Sequence, residues 1–354
     1  MFFSIVVPAY NAAHFLKEKI EALLEQSYSD FEIIIIDDGS KDETAGICNE
    51  YAKKDIRLQC YSIPNSGSGI ARNMGIKKAK GEYLLFVDID DELYPDALER
   101  IAQYCEEEKP DLIVFGHKVM NTAGKEIREI SYNETSFAGD YMRKEFGQFY
   151  ERTQPYCTYG VPWNKVYKRE IIEEENVMFP NLRRHQDQVF VLSYLTHVKR
   201  VLFVEDVLYK YYAPNTFETE RKLPEDYFLN IIELDKRCRN IIESWGVLDE
   251  KLMRVLDAKL VFLSIKACEN LILRSNIVEQ IRTYEAYEQI ITDVSVKEAI
   301  MNAEKIEYKR YQRILILLKK DQKSIVYGLL VIKSAIQRVR GMVNGIRKIL
   351  GKVN

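Results

Sequence analysis

Histidine is scarce in this 354-residue sequence: there are four, none near a cysteine at the spacing of a metal site. The six cysteines, at 48, 60, 105, 157, 238 and 268, are scattered and form no Cys-x-x-Cys pair. That argues against structural zinc and against a disulfide framework, and leaves reduced thiols as the default. No apolar run approaches the roughly 18–20 residues of a membrane-spanning helix. The apolar start Met1–Pro8 lacks a basic lead and a small-residue cleavage site, so no secretory leader is expected and a cytoplasmic protein is.

Charge is plentiful but unevenly placed. The composition, 47% hydrophobic and 30% charged, is that of an ordinary globular protein long enough for one large domain and a smaller one. The net charge of −3 conceals +11 between Lys309 and Asn354, where 12 Lys or Arg face the single acid Asp321, and hence −14 over the remainder. An acidic body with a basic tail bears on the choice of partner.

The most informative stretch is an apolar run, Tyr83–Val87, that ends in Asp88-Ile89-Asp90-Asp91. Three carboxylates so close repel one another and call for a compensating charge. A hard divalent cation carrying a diphosphate supplies one, because such ions bind through one or two carboxylates plus phosphate oxygens. An acidic turn leading into a helix at Glu92, with Asp91 as its cap, accounts for the same residues.

The neighbouring pattern favours the first reading. Phe3–Val7, Phe31–Ile36, Arg57–Ile63, Tyr83–Val87 and Leu112–Val119 read as strands. His14–Gln26, Asp42–Lys53, Ile70–Ala79 and Pro95–Glu108 read as helices between them. Strands that are continuously apolar are covered on both faces, which predicts a mostly parallel sheet inside helices. Ligands of such sheets bind at the carboxyl ends of the strands, here Pro8–Asn11, Asp37–Ser40 and Asp88–Asp91. Beyond Tyr132 the pattern loosens. Glu218 to Asp226 reads as a boundary, and Tyr227 to Glu304 is helix-rich and carries no proline.

Five motifs in order, Ser4–Asn11, Ile36–Ser40, Ala71-Arg72-Asn73, Gly81-Glu82-Tyr83 and Asp88–Asp91, resemble the catalytic domain of family 2 inverting glycosyltransferases of the bacterial glycan-biosynthesis type. Weaker similarity (Trp163–Tyr167, Phe179-Pro180, His185-Gln186-Asp187) runs on to about residue 212. The resemblance implies the GT-A fold, a Rossmann-like α/β architecture with a mostly parallel central sheet flanked by helices, followed here by a C-terminal helical region. The domains expected are 1–217 for nucleotide-sugar binding and catalysis, 218–308 as a helical domain, and 309–354 as a basic amphipathic tail.

The resemblance also implies roles. Pro8, Ala9, Tyr10 and Asn11 line the base pocket, Asp38 meets the base edge, and Asp37 serves the turn or the ribose. Asp-Gly pairs favour turns in any protein, so by themselves Asp37 and Asp38 read either way. Arg72 contacts the diphosphate, for which a guanidinium is well shaped, although alone it also reads as a surface arginine. Asp88, Ile89 and Asp90 form the Asp-x-Asp element, with Asp90 the better metal ligand and Asp88 the second; Mn²⁺ or Mg²⁺ is the cofactor. Asp187 is the general base, although it also reads as an ordinary helix start. Gln186 stands where the family has Glu, and losing that neighbouring charge lowers the pKa expected for Asp187. Trp163 and Gln186 are the candidates for the acceptor site. Trp163, like Tyr209, Tyr211 and Tyr212, reads equally as a sugar platform or as core. No Arg-Trp pair of the processive synthases occurs, which favours addition of a single sugar.

In the tail, Ile325, Leu329, Ile332, Ile336, Val339, Val343, Ile346 and Leu350 fall on one helical stripe, with Lys323, Arg338 and Lys348 away from it. Such a helix suits an anionic membrane at the inner face of the cell membrane, or packs on the body or on a second subunit of a homodimer. Nucleic acid is not an expected partner, since Tyr327 is the one aromatic residue of the striped segment Ile325–Leu350. The function expected is transfer of one sugar from a nucleotide sugar, a UDP-sugar foremost, to a hydroxyl of a glycan or lipid-linked acceptor. The alternatives are a non-catalytic nucleotide-sugar-binding subunit and a sugar-nucleotide pyrophosphorylase.

Overall fold

The computed structural model describes residues 1–150, 160–213, 223, 226–275, 279–306 and 308–350; side chains are described up to Val339, Gln280 excepted. It contains two compact units: Met1–Ala213 with Asn240–Val247, and Pro214–Arg239 with Leu248–Asn354. The expected 217/218 boundary, and most of Glu218–Asp226, lie outside the described residues.

The first unit is built on a mixed sheet. β1 (Phe3–Ala9) lies between β2 (Phe31–Asp37) and β4 (Tyr83–Phe86), parallel to both, and β3 (Leu58–Ser62) extends the parallel block beyond β2. Every residue of β2 is buried, because helices cover both faces of a parallel sheet. These are α1 (Leu16–Leu24), α2 (Thr44–Lys54), α3 (Ser68–Lys78) and α4 (Ala97–Glu108). In α1, Leu16, Ile20 and Leu23 share the buried stripe that the spacing predicts.

Past β4 the sheet departs from the parallel expectation. The order continues β9 (Lys165–Lys168), β6 (Leu112–Met120), β10 (Arg200–Tyr212), β5 (Glu92–Leu93). β9 runs antiparallel to both β4 and β6. β7 (Glu126–Ile130) and β8 (Thr135–Ala138) pair antiparallel at β6 and β10. The short helices α5 (Gly139–Lys144), α6 (Gly147–Tyr150) and α7 (Arg169–Glu174), and then α8 (Gln186–Leu195), complete the unit. Glu92 does not begin a helix: it pairs with Lys210 in β5, and α4 starts only at Ala97.

The second unit is helical: α9 (Tyr227–Ser244, as far as Arg239), α10 (Glu250–Arg274), α11 (Gln280–Thr292), α12 (Val294–Asn302), α13 (Lys309–Lys319) and α14 (Lys323–Leu350). α10 is its axis, burying Leu256, Leu260, Val261, Ile265, Cys268 and Ile272. Inside this bundle the buried Glu269 carboxylate receives Lys333 at 2.7 Å, Arg310 at 3.1 Å and the Tyr311 hydroxyl at 3.0 Å, which ties α13 and α14 to α10. Among the described residues no helix is long and apolar enough to cross a membrane.

One glycine decides how closely β4 approaches β1. A Cβ on Gly81 would lie 2.5 Å from the backbone of Phe3 and Ser4, and the Gly81 N–H donates to Ser4 Oγ at 2.8 Å. Gly81→Val should therefore lower stability by about 1–3 kcal/mol through overpacking, read as a drop in the urea midpoint at unchanged m-value.

Candidate active site

β1, β2 and β4 deliver their carboxyl ends to one edge, since Ala9 stands opposite Asp37 and Val6 opposite Phe86. Asn11 takes a left-handed backbone (φ 50°) that asparagine tolerates. Its N–H donates to Ser40 Oγ at 2.9 Å, and its side-chain oxygen accepts from the Lys41 N–H at 2.8 Å. Asn11 thus laces the first strand end to the second. Tyr10 beside it is exposed, while Ala9 is buried and Pro8 half-buried.

Asp37 and Asp38 are both buried and do different things. Asp37 accepts from the Ser40 N–H at 3.1 Å, closing a turn. Asp38 accepts from the Ser66 N–H at 2.7 Å and the Gly67 N–H at 2.9 Å, which fixes the loop entering α3. Each of its oxygens has a second lone pair. Gly39 between them and that loop has φ +70°, and a Cβ there would come within 2.7 Å of Asn65 N.

α3 projects Arg72 inward. Its guanidinium donates from Nη2 to Asp88 Oδ1 at 2.5 Å and from Nη1 to Asp187 Oδ1 at 3.1 Å. The side chain is only 4% exposed and lies 5.4 Å from the centre of the Phe179 ring. Burial opposes its charge, but Asp88 and Asp187 outweigh burial and hold it firmly protonated. Its Nε is buried without a hydrogen-bond partner. Neighbouring Asn73 fixes the Phe179 segment with two bonds of 2.8 Å, one donated and one accepted.

Asp187 sits in the first turn of α8, after His185 in a left-handed conformation (φ 63°). A helix amino terminus favours the anion there. Burial nevertheless raises its pKa above the ordinary carboxylate value, more than Arg72 lowers it. The neutral Gln186 adds no like charge to this, so desolvation sets the direction. Gln186 itself is buried and donates to Ser68 Oγ at 3.0 Å, leaving its Oε1 without a partner. Lys165, buried in β9, also acts on Asp187 electrostatically, while its ammonium donates to Val161 O at 2.6 Å and Asn164 Oδ1 at 2.8 Å.

The three acids after β4 occupy three environments. Asp88 is paired with Arg72. Asp91 is buried, accepting from the Tyr209 hydroxyl at 2.9 Å and the Tyr212 N–H at 2.8 Å. It therefore caps no helix, and burial, then Asp88 and Asp90, push its pKa up to about 8. Asp90 is exposed, and its pKa is raised, first by desolvation and then by Asp88. Ile89 is buried between them. Among the described residues no three His, Cys, Asp or Glu converge as a protein-only metal site. A cation held by Asp90 with phosphate oxygens as its other ligands fits this arrangement.

Trp163 is not an open sugar platform. It is buried, stacked on Tyr209 (4.8 Å, 11°) and Tyr211 (5.2 Å, 13°), with His117 against its ring edge-on. His117 is pushed down to about 4 by burial and Lys165, so it is neutral at pH 7. This aromatic block holds Tyr209, whose hydroxyl accepts from the Asp88 N–H at 3.1 Å and donates to Asp91. Tyr209 is thus the positioning residue that local reading leaves undecided. Asn73 and Lys165 carry no sequence signal of their roles beyond lying inside the motifs.

The family model Glycosyl transferase family 2 matches residues 4–175. The chain is 28% identical over 305 residues to the uncharacterized glycosyltransferase YibD of Escherichia coli, covering 83% of this chain and 88% of YibD. It is 30% identical over 220 residues to the glycosyltransferase GlyG of Streptococcus pneumoniae, covering 59% of this chain and 69% of GlyG. The crystal structure of residues 1–349 of S. aureus TarS in complex with UDP-GlcNAc superposes with a TM-score of 0.64 at 21% identity, over 95% of this chain and 92% of that one. That likeness establishes the GT-A fold.

Tyr209→Phe, which keeps the stack and removes the hydroxyl, should cost about 1–3 kcal/mol by leaving buried polar partners unpaired. Thermal unfolding beside the wild type checks it; an unchanged midpoint contradicts the role given to the hydroxyl.

Proposed function

The chain belongs to glycosyl transferase family 2 and is a glycosyltransferase, and from that premise we propose that it moves a single sugar, with inversion, from a UDP-sugar to a hydroxyl of a glycan or lipid-linked acceptor at the inner face of the cell membrane. One observation supports this reading above the others: Arg72 joins Asp88, on the donor side, to Asp187, the candidate base, in one ion-paired group centred on a buried guanidinium. Family membership sets the pyrophosphorylase alternative aside. The likeness to glycosyltransferases also sets aside the non-catalytic alternative, for which Gln186 in place of Glu is the one sign.

In this reading Pro8–Asn11 and Asp38 form the base pocket, with Asp38 also ordering its floor at Ser66 and Gly67. Asp37 shapes the turn beneath. Asp90 would hold a divalent cation, Mn²⁺ or Mg²⁺, which would neutralise charge on the departing nucleoside diphosphate. Arg72 neutralises more, and its unpartnered Nε–H is a donor ready for a phosphate oxygen. Each bond that Arg72 shifts from Asp187 to phosphate removes a counter-cation from that carboxylate and makes it more basic. Asp187 takes the proton of the acceptor hydroxyl as that oxygen attacks the anomeric carbon from the face opposite the leaving group. Gln186, tied to Ser68, holds the start of α8 against α3 and keeps Asp187 in register with Arg72.

The test is Asp187→Asn, with transfer followed as UDP release across a panel of UDP-sugars and acceptors. Loss of transfer by about 10²–10⁴-fold, with calorimetric binding of UDP and Mn²⁺ retained, supports the assignment; unchanged turnover removes it. The pH profile gives a second check. Because burial raises the Asp187 pKa, its ionised form is lost at a higher pH than for an ordinary aspartate. Activity should therefore fall on an acid limb that lies above the usual carboxylate range and disappears in Asp187→Asn.

A further inference from the structure

Helix α14 carries an apolar stripe that the described protein does not cover. Ile325, Leu329, Ile332, Ile336 and Val339 are each between 45% and 59% exposed, and their steps of four and three keep them on one face. The helix packs through its other side. Val326, Leu330 and Ser334 are buried there, Lys333 reaches Glu269, and Arg338 donates to the carbonyls of Ile272 at 2.8 Å and Leu273 at 3.0 Å at the end of α10. The helix thus packs on α10 through basic residues, while the described part of its stripe stays exposed. The cations hold the helix down, and the isoleucines face out. The stripe's remaining members, Val343, Ile346 and Leu350, lie outside the described side chains. Isolated exposed apolar residues are ordinary on a monomer, whereas a continuous row of five marks an interaction surface.

Charge selects the occupant. The segment from Lys309 carries +11, and after Val339 it holds Arg340, Arg347, Lys348 and Lys352 without one acid. A second copy docking stripe to stripe would bring two such basic segments together, because a two-fold interface pairs a patch with itself. That arrangement is electrostatically disfavoured. An anionic bilayer has the opposite sign, and each Lys or Arg near it adds attraction while apolar side chains enter the headgroup boundary. No described helix is apolar enough to cross, so this one lies along the surface.

We propose that the outward stripe of α14 is a docking surface for membranes rich in anionic lipid. The proposal deepens the lipid-linked reading of the acceptor and rests on it for its biological sense. Its experiment reads vesicle binding rather than transfer, so the two readings fail separately.

The full chain is sedimented with phosphatidylcholine vesicles with and without phosphatidylglycerol, at low and high salt. The partner variant is Ile332→Ser/Ile336→Ser, whose side chains are exposed and whose circular dichroism and UDP release should match the wild type. Expected is binding to the phosphatidylglycerol vesicles alone, reduced by high salt and weakened about ten-fold or more by the double substitution. Three results overturn the proposal. One is absence of binding. Another is binding that the double substitution leaves unchanged, which assigns it to charge alone. The third is a concentration-dependent dimer, seen by ultracentrifugation and abolished by the substitution, which gives the stripe to a second copy.

Discussion

A buried guanidinium between two carboxylates organises the candidate site. Arg72 is charged in a place that penalises charge, and it stays there because Asp88 and Asp187 face it from separate elements. Removing one partner of such a group leaves the others uncompensated, which is costlier than the pair is worth when intact. The arrangement therefore enforces a distance between the end of β4 and the start of α8, elements about a hundred residues apart in the chain. Phe179 under the guanidinium and Asn73 holding Phe179 complete the seat. In the proposed reaction a diphosphate entering beside Asp88 would compete for Arg72, which would link donor occupancy to basicity at Asp187.

The acids at the end of β4 show how environment separates identical residues. Asp88 is ion-paired, Asp91 is enclosed under Tyr209 with a pKa pushed up to about 8, and Asp90 is open. Three full charges within four positions would repel strongly. The fold relieves this by pairing one, favouring the protonated form of another, and leaving the last exposed. Trp163, Tyr211 and His117 belong to the same solution, since they hold the Tyr209 hydroxyl where it meets both Asp88 and Asp91.

The parallel block and its edge were legible in the sequence because both depend on local pattern: apolar runs, turn residues and the spacing between them. β1 to β4, α1 to α4 and the gathering of Asn11, Asp37, Asp38 and Asp88 follow from that. What was not legible depends on long-range partners. β9 enters beside β4 from a stretch without clear periodicity, so the sheet becomes mixed. Glu92 joins β10 instead of opening a helix, and Asp91 is claimed by Tyr209 and Tyr212, residues near the far end of the same unit. The upward shift of the Asp187 pKa was not legible either, because burial is a tertiary property. In α14 the stripe was readable, but its outward side was not: the basic residues away from it left membrane and body both open, and only the partners of Lys333 and Arg338, Glu269 and the carbonyls of α10, decide which side faces in.

The claim on which the rest depends is that Arg72 couples the donor side of the site to the base. A double-mutant cycle on kcat/KM with Arg72→Met and Asp187→Asn measures that coupling directly. Residues acting as one unit should give strongly non-additive losses, with an interaction energy of about 1–3 kcal/mol. Additivity within about 0.5 kcal/mol would mean that the two side chains act independently, and would contradict the account.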